Sequence, residues 1–386
     1  MQPEAMLRVL GGERFVNTYW QQQPLFVDRV WPHPPNFLAA DELAGLATDP
    51  DVTSRIVMGD TAAEDWMIIE GPVTETFFSD TPETDWQLSV YAVDRHVPVY
   101  GQVREAFRFL PDWRFDGLAV TYCVPGGTGG RSRDDADLFF LQVAGETDWS
   151  IADPACPADN PNVAPAWRGR TCPGDLLYLP PDSDYYGVAA SESVTYCIRF
   201  RVPTTAELLR GWAQHRAQQL SDHANEALGW ERPPANPAAL PQQTRAELRA
   251  ALRSCLDPSD SELDEWLAAY LTRSEDAFDQ QLPESAMTPA AVRQALSNGR
   301  ELVVHPAARL AWLNTPDNGP LLYVNGYPEA VPSGAAQDVA EELTRLRRFT
   351  GADLPRAEST GTASVVDLLA DGLQKGWLAF DDELIE

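Results

Sequence analysis

The sequence predicts an α+β chain in which a barrel or sandwich of short strands precedes a helical block and a small winged-helix-like module. Three observations point there. Alternating apolar segments separated by Gly/Pro turns fill the first two hundred residues, a capping box at Thr204 opens a run of helical periodicity, and helix, strand, hairpin and helix signals follow Thr288. The divisions fall at 1–205, 206–286 and 287–386.

In the first part, DGLAVTYCV (116–124) puts Leu118, Val120, Tyr122 and Val124 on one face, the pattern of a half-buried strand. DLFFLQV (137–143) is a short apolar run of the kind buried on both faces. CPGDLLYLPP (172–181) is a Pro-Gly turn leading into a strand that Pro180 stops, and SVTYCIRFRV (193–202) alternates again. Short strands with turns at this spacing fit a sandwich or barrel.

The middle part opens with Thr204-Thr205-Ala206-Glu207, in which threonine and glutamate satisfy each other's backbone N–H groups, and Leu208, Leu209 and Trp212 follow at helical spacing. A second helix runs from about Thr244 to Pro258 with Leu248, Leu252, Cys255 and Leu256 on one face. A third spans Ser261 to Arg273 with Leu263, Trp266, Leu267, Tyr270 and Leu271. RPPANPAALPQQ (232–243) reads as an irregular linker. Apolar stripes on so small a block need a second surface, so it predicts a homodimer contact.

In the last part, Thr288-Pro289 joins an N-cap to proline at the first helical position, and Asn298-Gly299 closes that helix. ELVVHP and RLAWLN read as strands, LLYVNGYPEAV as a hairpin about Asn325-Gly326, 335–349 and 363–375 as helices, and GWLAF as a final strand. Such a module often binds DNA, but residues 288–386 carry 8 basic and 14 acidic side chains, the wrong sign for a phosphate backbone.

The whole chain has 58 Asp and Glu against 29 Lys and Arg, a net charge of −29, and Lys375 is its one lysine. That field disfavours nucleic acid and anionic membrane and favours a basic partner. Spread along the chain as it is, it equally fits adaptation to high salt. No apolar run reaches the ~18 residues of a membrane helix, and MQPEAMLRVLGGERF lacks the basic head and apolar core of a secretory signal. Cys123, Cys156, Cys172, Cys197 and Cys255 are odd in number and form no CxxC pair, which fits a reducing cytoplasm. Neither G-x-S-x-G nor H-E-x-x-H occurs.

LPDWRFDGLAVTYCVPGGTGG (110–130), DLFFLQV, GDLLYLPP (174–181) and RFRVPTTAELLRGW (199–212) together resemble the bacterial ribosomal oxygenases, as do YWQQQPLFV (19–27) and ELAGLATDPDVTSRIV (42–57). The resemblance runs in order over nearly the whole chain. It implies a Jumonji-C, cupin-like double-stranded β-helix, then a helical dimerisation segment, then a winged-helix-like C-terminal domain. Members of that family hold Fe(II) with two histidines and a carboxylate, bind 2-oxoglutarate, and hydroxylate an arginine of a large-subunit ribosomal protein. Their H-x-D motif after the PGG turn falls here on Ser132 and Asp134, and their third ligand, a histidine after the LPP turn, falls on Tyr185. Their basic residue for the 2-oxoglutarate carboxylate falls on Thr147, in GETDWS (145–150), where Asp148 would repel the dicarboxylate. His33 and His96 precede the barrel strands while His215, His223 and His305 follow them, so none substitutes by position.

A serine hydroxyl is a weak neutral ligand, and tyrosine must lose a proton of pKa about 10 to become a good one. The resemblance with these losses implies a degenerate, non-catalytic relative with no cofactor. The competing expectation is a divergent active oxygenase whose atypical metal set comes from Tyr185 and the acids Asp134, Asp135, Asp137, Asp182 and Asp184, which could hold a hard cation through oxygen. In the first reading Asp134 pairs with Arg131 or Arg133, Tyr185 and Tyr186 fill the vacated pocket, and Arg199 and Arg201 meet an aspartate or an anion. A groove edged by Asp134, Asp135, Asp182 and Asp184 would take an arginine-rich ribosomal protein or peptide, with Arg131 and Arg133 competing for those acids.

Overall fold

Two antiparallel sheets face each other to make the barrel. The computed structural model describes residues 1–60, 65–152, 167–221, 238, 240–256, 258–273, 287–315, 319–331, 334–353 and 362–384. Most of the linker expected over 232–243 lies outside these residues, as do Cys156 and His223. The larger sheet runs β1 (Leu25–Val27), β10 (Leu176–Leu179), β7 (Asp137–Ala144), β12 (Ser193–Phe200), β5 (Phe115–Cys123), β4 (Trp86–Val90), β2 (Ser54–Asp60) and β3 (Asp65–Glu70). The smaller runs β6 (Ser132–Arg133), β11 (Asp184–Ala189), β8 (Thr147–Ile151) and β9 (Trp167–Thr171).

β7 reads as an unbroken apolar run because it serves two cores. Phe139, Leu141 and Val143 face the main core with Tyr178, Tyr196 and Phe200. Leu138 and Phe140 face the barrel interior with Trp149, Ile151, Leu177 and Leu179. Short helices α1 (Pro3–Val9), α2 (Ala40–Leu46), α3 (Val93–His96) and α4 (Gly101–Ala106) add Met6, Leu43, Val93 and Val103 to the main core.

The capping box forms as its residues dictate: the Thr204 N–H donates to Glu207 Oε2 at 2.8 Å and the Glu207 N–H to Thr204 Oγ1 at 3.2 Å, opening α5 (Thr205–Ser221). After α6 (Gln242–Leu256), Ser259 and Glu262 repeat the device at the start of α7 (Asp260–Thr272). The apolar stripes of α5 and α7 largely cover each other. Trp212 meets Trp266 edge to face at 5.3 Å, and Trp266 stacks on Tyr270 at 5.0 Å. What stays outward is Leu209 together with Leu248 and Leu252 of α6.

The C-terminal module has α8 (Pro289–Ser297), β13 (Leu302–Val304), β14 (Leu310–Thr315), β15 (Gly319–Val324), β16 (Tyr327–Glu329), α9 (Ala335–Leu346), β17 (Arg348–Phe349), α10 (Thr362–Gln374) and β18 (Leu378–Phe380). The helix expected to reach 349 stops at Leu346, because Arg347 turns left-handed at φ 57° and Arg348-Phe349 pair with β13. Among the described residues no helix is long and apolar enough to cross a membrane.

Barrel and C-terminal module are joined through charge. Arg104 of α4 is buried, donates to the Pro306 carbonyl at 2.6 Å, and lies 4.5 Å over the Phe115 ring. Arg108 donates to the Thr344 carbonyl at 2.9 Å, and buried Arg347 donates to the His305 carbonyl at 2.8 Å. All three guanidiniums converge on Asp112, at 3.7, 3.3 and 3.9 Å. Burial pushes the Asp112 carboxyl up, but the three arginines outweigh it, and its folded pKa lies below the ordinary value. A depressed carboxyl contributes stability above its unfolded pKa of about 3.9 and loses it as pH falls through the folded value. Asp112→Asn is therefore expected to cost about 2–3 kcal/mol at neutral pH, with the gap to wild type closing below about pH 4. Urea midpoints across that range check it.

Candidate functional site

The PGG turn is built from backbone that only glycine tolerates. Gly126 has φ +82°, and a Cβ on Gly127 would lie 2.1 Å from the Trp86 carbonyl oxygen. From this turn the chain enters β6, where Ser132 is the direct register partner of Tyr185 and Arg133 that of Asp184. Two residues 53 positions apart in sequence thus stand side by side on adjacent strands. The two hydroxyls share a hydrogen bond, and burial is the main reason the Tyr185 phenol sits above its ordinary pKa, with Cys197 and the Asp134 charge adding to the shift. The ring packs 5.4 Å from Phe140 and 6.2 Å from Trp149 on the wall of the barrel interior, and does not fill it. Tyr186, next along β11, points to the other face.

Asp134 does not pair with Arg131 or Arg133. Arg199 of β12 takes it, with Nη2 at 2.7 Å from Asp134 Oδ1, and also reaches Asp135 at 2.9 Å and Asp116 at 2.8 Å. The Ala136 N–H donates to the same Asp134 oxygen at 3.1 Å. Arg201 binds Asp135 at 3.1 Å and also Glu207. Burial pushes Asp135 up, yet Arg201 and Arg199 outweigh it and hold its carboxyl below the usual range. Arg133 meets Asp182 at 3.3 Å and Asp184 at 3.9 Å. Every acid of the expected groove therefore already has an arginine partner from this chain.

The acids do not converge as an oxygen-ligand site either. Asp137 starts β7 on the main-core face, buried, accepting from the Tyr178 hydroxyl at 2.5 Å and from Gln21 at 3.1 Å. Asp182 is 71% exposed at the turn before β11. Among the described residues no group of three or more His, Cys, Asp or Glu is placed to hold a metal ion.

Thr147 lies inside the barrel, and Asp148, one residue on, lies outside. The strand alternation that buries Thr147 and Trp149 sends Asp148 to the surface, where Arg170 grips it with two bonds of 2.7 Å and reaches Glu146 at 2.9 Å. The repulsion of a dicarboxylate expected from Asp148 therefore does not operate. What remains at this place is the absence of a cation at Thr147.

These residues line a cavity of about 880 Å³ that opens between the sheets toward α7 and the C-terminal module. Its inner wall carries Ser132, Asp134, Thr147, Trp149, Tyr185 and Arg199; its mouth carries Arg95, Trp113, Arg114, Tyr270, Arg273 and Arg309. Sequence reasoning missed the mouth. Its residues come from four separate stretches, and isolated arginines in an acidic chain carry no local signal.

A JmjC domain matches residues 102–208, and a ROXA-like winged helix matches 249–379. The chain is 30% identical over 340 residues to the ribosomal protein uL16 3-hydroxylase of Escherichia coli, covering 85% of this chain and 88% of that protein. It is 30% identical over 211 residues to a probable ribosomal oxygenase of Haemophilus influenzae, covering 52% of each. Among solved structures it is similar to the E. coli ribosomal oxygenase YcfD in complex with cobalt and succinic acid and in complex with cobalt and 2-oxoglutarate. Each of these has a TM-score of 0.79 at 27% identity and covers 96% of this chain and 98% of the other.

Tyr185→Phe is expected to remove from the alkaline tyrosinate titration a component above the ordinary pKa of about 10. Difference absorbance between wild type and variant checks this; a component at the ordinary value would show a phenol open to water.

Proposed function

Because the chain belongs to the ribosomal oxygenase family, with a JmjC barrel and a ROXA-like winged helix, we propose that it keeps the fold of those enzymes without their iron-dependent hydroxylation and acts by binding. One observation carries this reading. Ser132, Asp134 and Tyr185, on which the resemblance places the family's iron ligands, satisfy one another and Arg199 rather than presenting free donors. They do not fit the iron centre. A neutral serine and a phenol held protonated offer Fe(II) little, and one carboxylate bound to a guanidinium does not hold it against water. Thr147 adds that no cation awaits the distal carboxylate of 2-oxoglutarate.

The outer surface of a chain at −29 suits a basic protein partner, as the family's ribosomal setting suggests. Contact through Asp134, Asp135, Asp182 and Asp184 is disfavoured, because a partner arginine would have to displace Arg133, Arg199 or Arg201. A homodimer, expected from the helical block, would form through the outward face of α6, where Leu252 is 66% exposed and Leu248 38%.

Metal analysis is expected to find no stoichiometric iron, and added Fe(II) no 2-oxoglutarate turnover; turnover by the wild-type chain would sink the reading. Ser132→His/Tyr185→His should raise divalent-metal affinity while leaving turnover absent, since Thr147 is unchanged. Light scattering should report a dimer that Leu252→Asp converts to monomer.

A further inference from the structure

The wall of the barrel cavity inverts the charge of the chain. The chain has 58 acidic residues to 29 basic ones, yet among the described residues the wall presents nine arginines and two carboxylates, Asp116 and Asp134. Both carboxylates are held by Arg199. The other acids that pair with wall arginines, such as Glu70 with Arg55 and Glu207 with Arg201, are not part of the wall.

The mouth shows this most plainly. Arg309 reaches in from the start of β14, and its Nη2 donates to the Asp116 backbone carbonyl at 2.9 Å. Among the described residues no carboxylate forms an ion pair with it. Burial, with the like charge of Arg95 next, pulls its guanidinium down to about 10. The nearby Asp116 and Asp94 charges act the other way without outweighing burial. Arg273 lines the same mouth, and the buried Nε of Arg199 has no hydrogen-bond acceptor.

We propose that this mouth binds a small organic oxyanion carrying two or more carboxylate or phosphate groups, with Arg309 as the central contact and Arg273 beside it. A guanidinium matches either group with two parallel hydrogen bonds, and the cavity is of a size that takes small ligands. The proposal stands whether or not the barrel supports iron chemistry.

The test is calorimetric titration of the full chain, freed of metal, with pyrophosphate and with citrate at low salt. At least one is expected to bind at one per chain, more weakly as salt rises. Arg309→Gln should weaken binding about tenfold or more, corresponding to the loss of one strong contact, and Arg309→Lys should retain part of it. Arg273→Gln should weaken it less. Arg300→Gln, whose side chain is outside the cavity wall and pairs with Asp382 and Glu383, should leave it unchanged. Binding of pyrophosphate alone identifies a phosphate ligand, and of citrate alone a carboxylate. If Arg309→Gln does not melt as a folded protein, Arg273→Gln carries the test. Failure of both probes to bind wild type, or binding indifferent to the mouth variants, overturns the proposal.

Discussion

One guanidinium organises the centre of this protein. Arg199 spans Asp116 on β5 and the Asp134-Asp135 pair on the loop before β7, while its own strand lies between β5 and β7. A half-buried charge must be paired, and here three carboxylates share one cation. That arrangement fixes the loop that follows β6 and sets Asp134 against a protein partner at the wall of the cavity. Arginine suits this position because its fork donates in several directions at once, which a lysine ammonium does less well.

The second constraint is the two-residue period of a strand. It puts Ser132 and Tyr185 side by side across β6 and β11, and Thr147 and Trp149 on the interior of β8. The same period sends Asp148 outward to Arg170. An argument from composition alone counts Asp148 as a charge in the pocket. The pleat shows it to be a surface ion pair, in which water screens the charge. The difference that the resemblance implies therefore rests on Ser132, Tyr185 and Thr147, with Asp134 keeping the carboxylate and no added repulsion.

Arginines also set the relation between the two halves of the chain. Arg104, Arg108 and Arg347 meet at Asp112 across the junction, and Arg309 crosses from the C-terminal module to the rim of the barrel. The module is thus part of the cavity's wall. Its acidic composition removes the usual reason to connect a winged helix with DNA, and its geometry supplies another task, closing one side of a pocket whose lining is cationic.

The sequence by itself determined the element order and most of the local devices. The capping box at Thr204, the proline start at Pro289 and the Asn325-Gly326 hairpin are short-range hydrogen-bond and dihedral preferences, and each forms where its residues stand. It also determined that no histidine stands between Val97 and Gln214, the stretch that holds the PGG and LPP turns. The tertiary structure decided which charges meet. Asp134 belongs to Arg199, 65 positions away, and not to its neighbours Arg131 and Arg133. The Trp212 and Trp266 stripes cover each other before any partner does. Asp137, part of an expected acidic cluster, turns to Tyr178 in the opposite core. In each case the outcome depends on which face of a strand or helix a side chain occupies and on what the fold brings opposite it, and Coulomb and packing forces act over those few ångströms rather than along the chain.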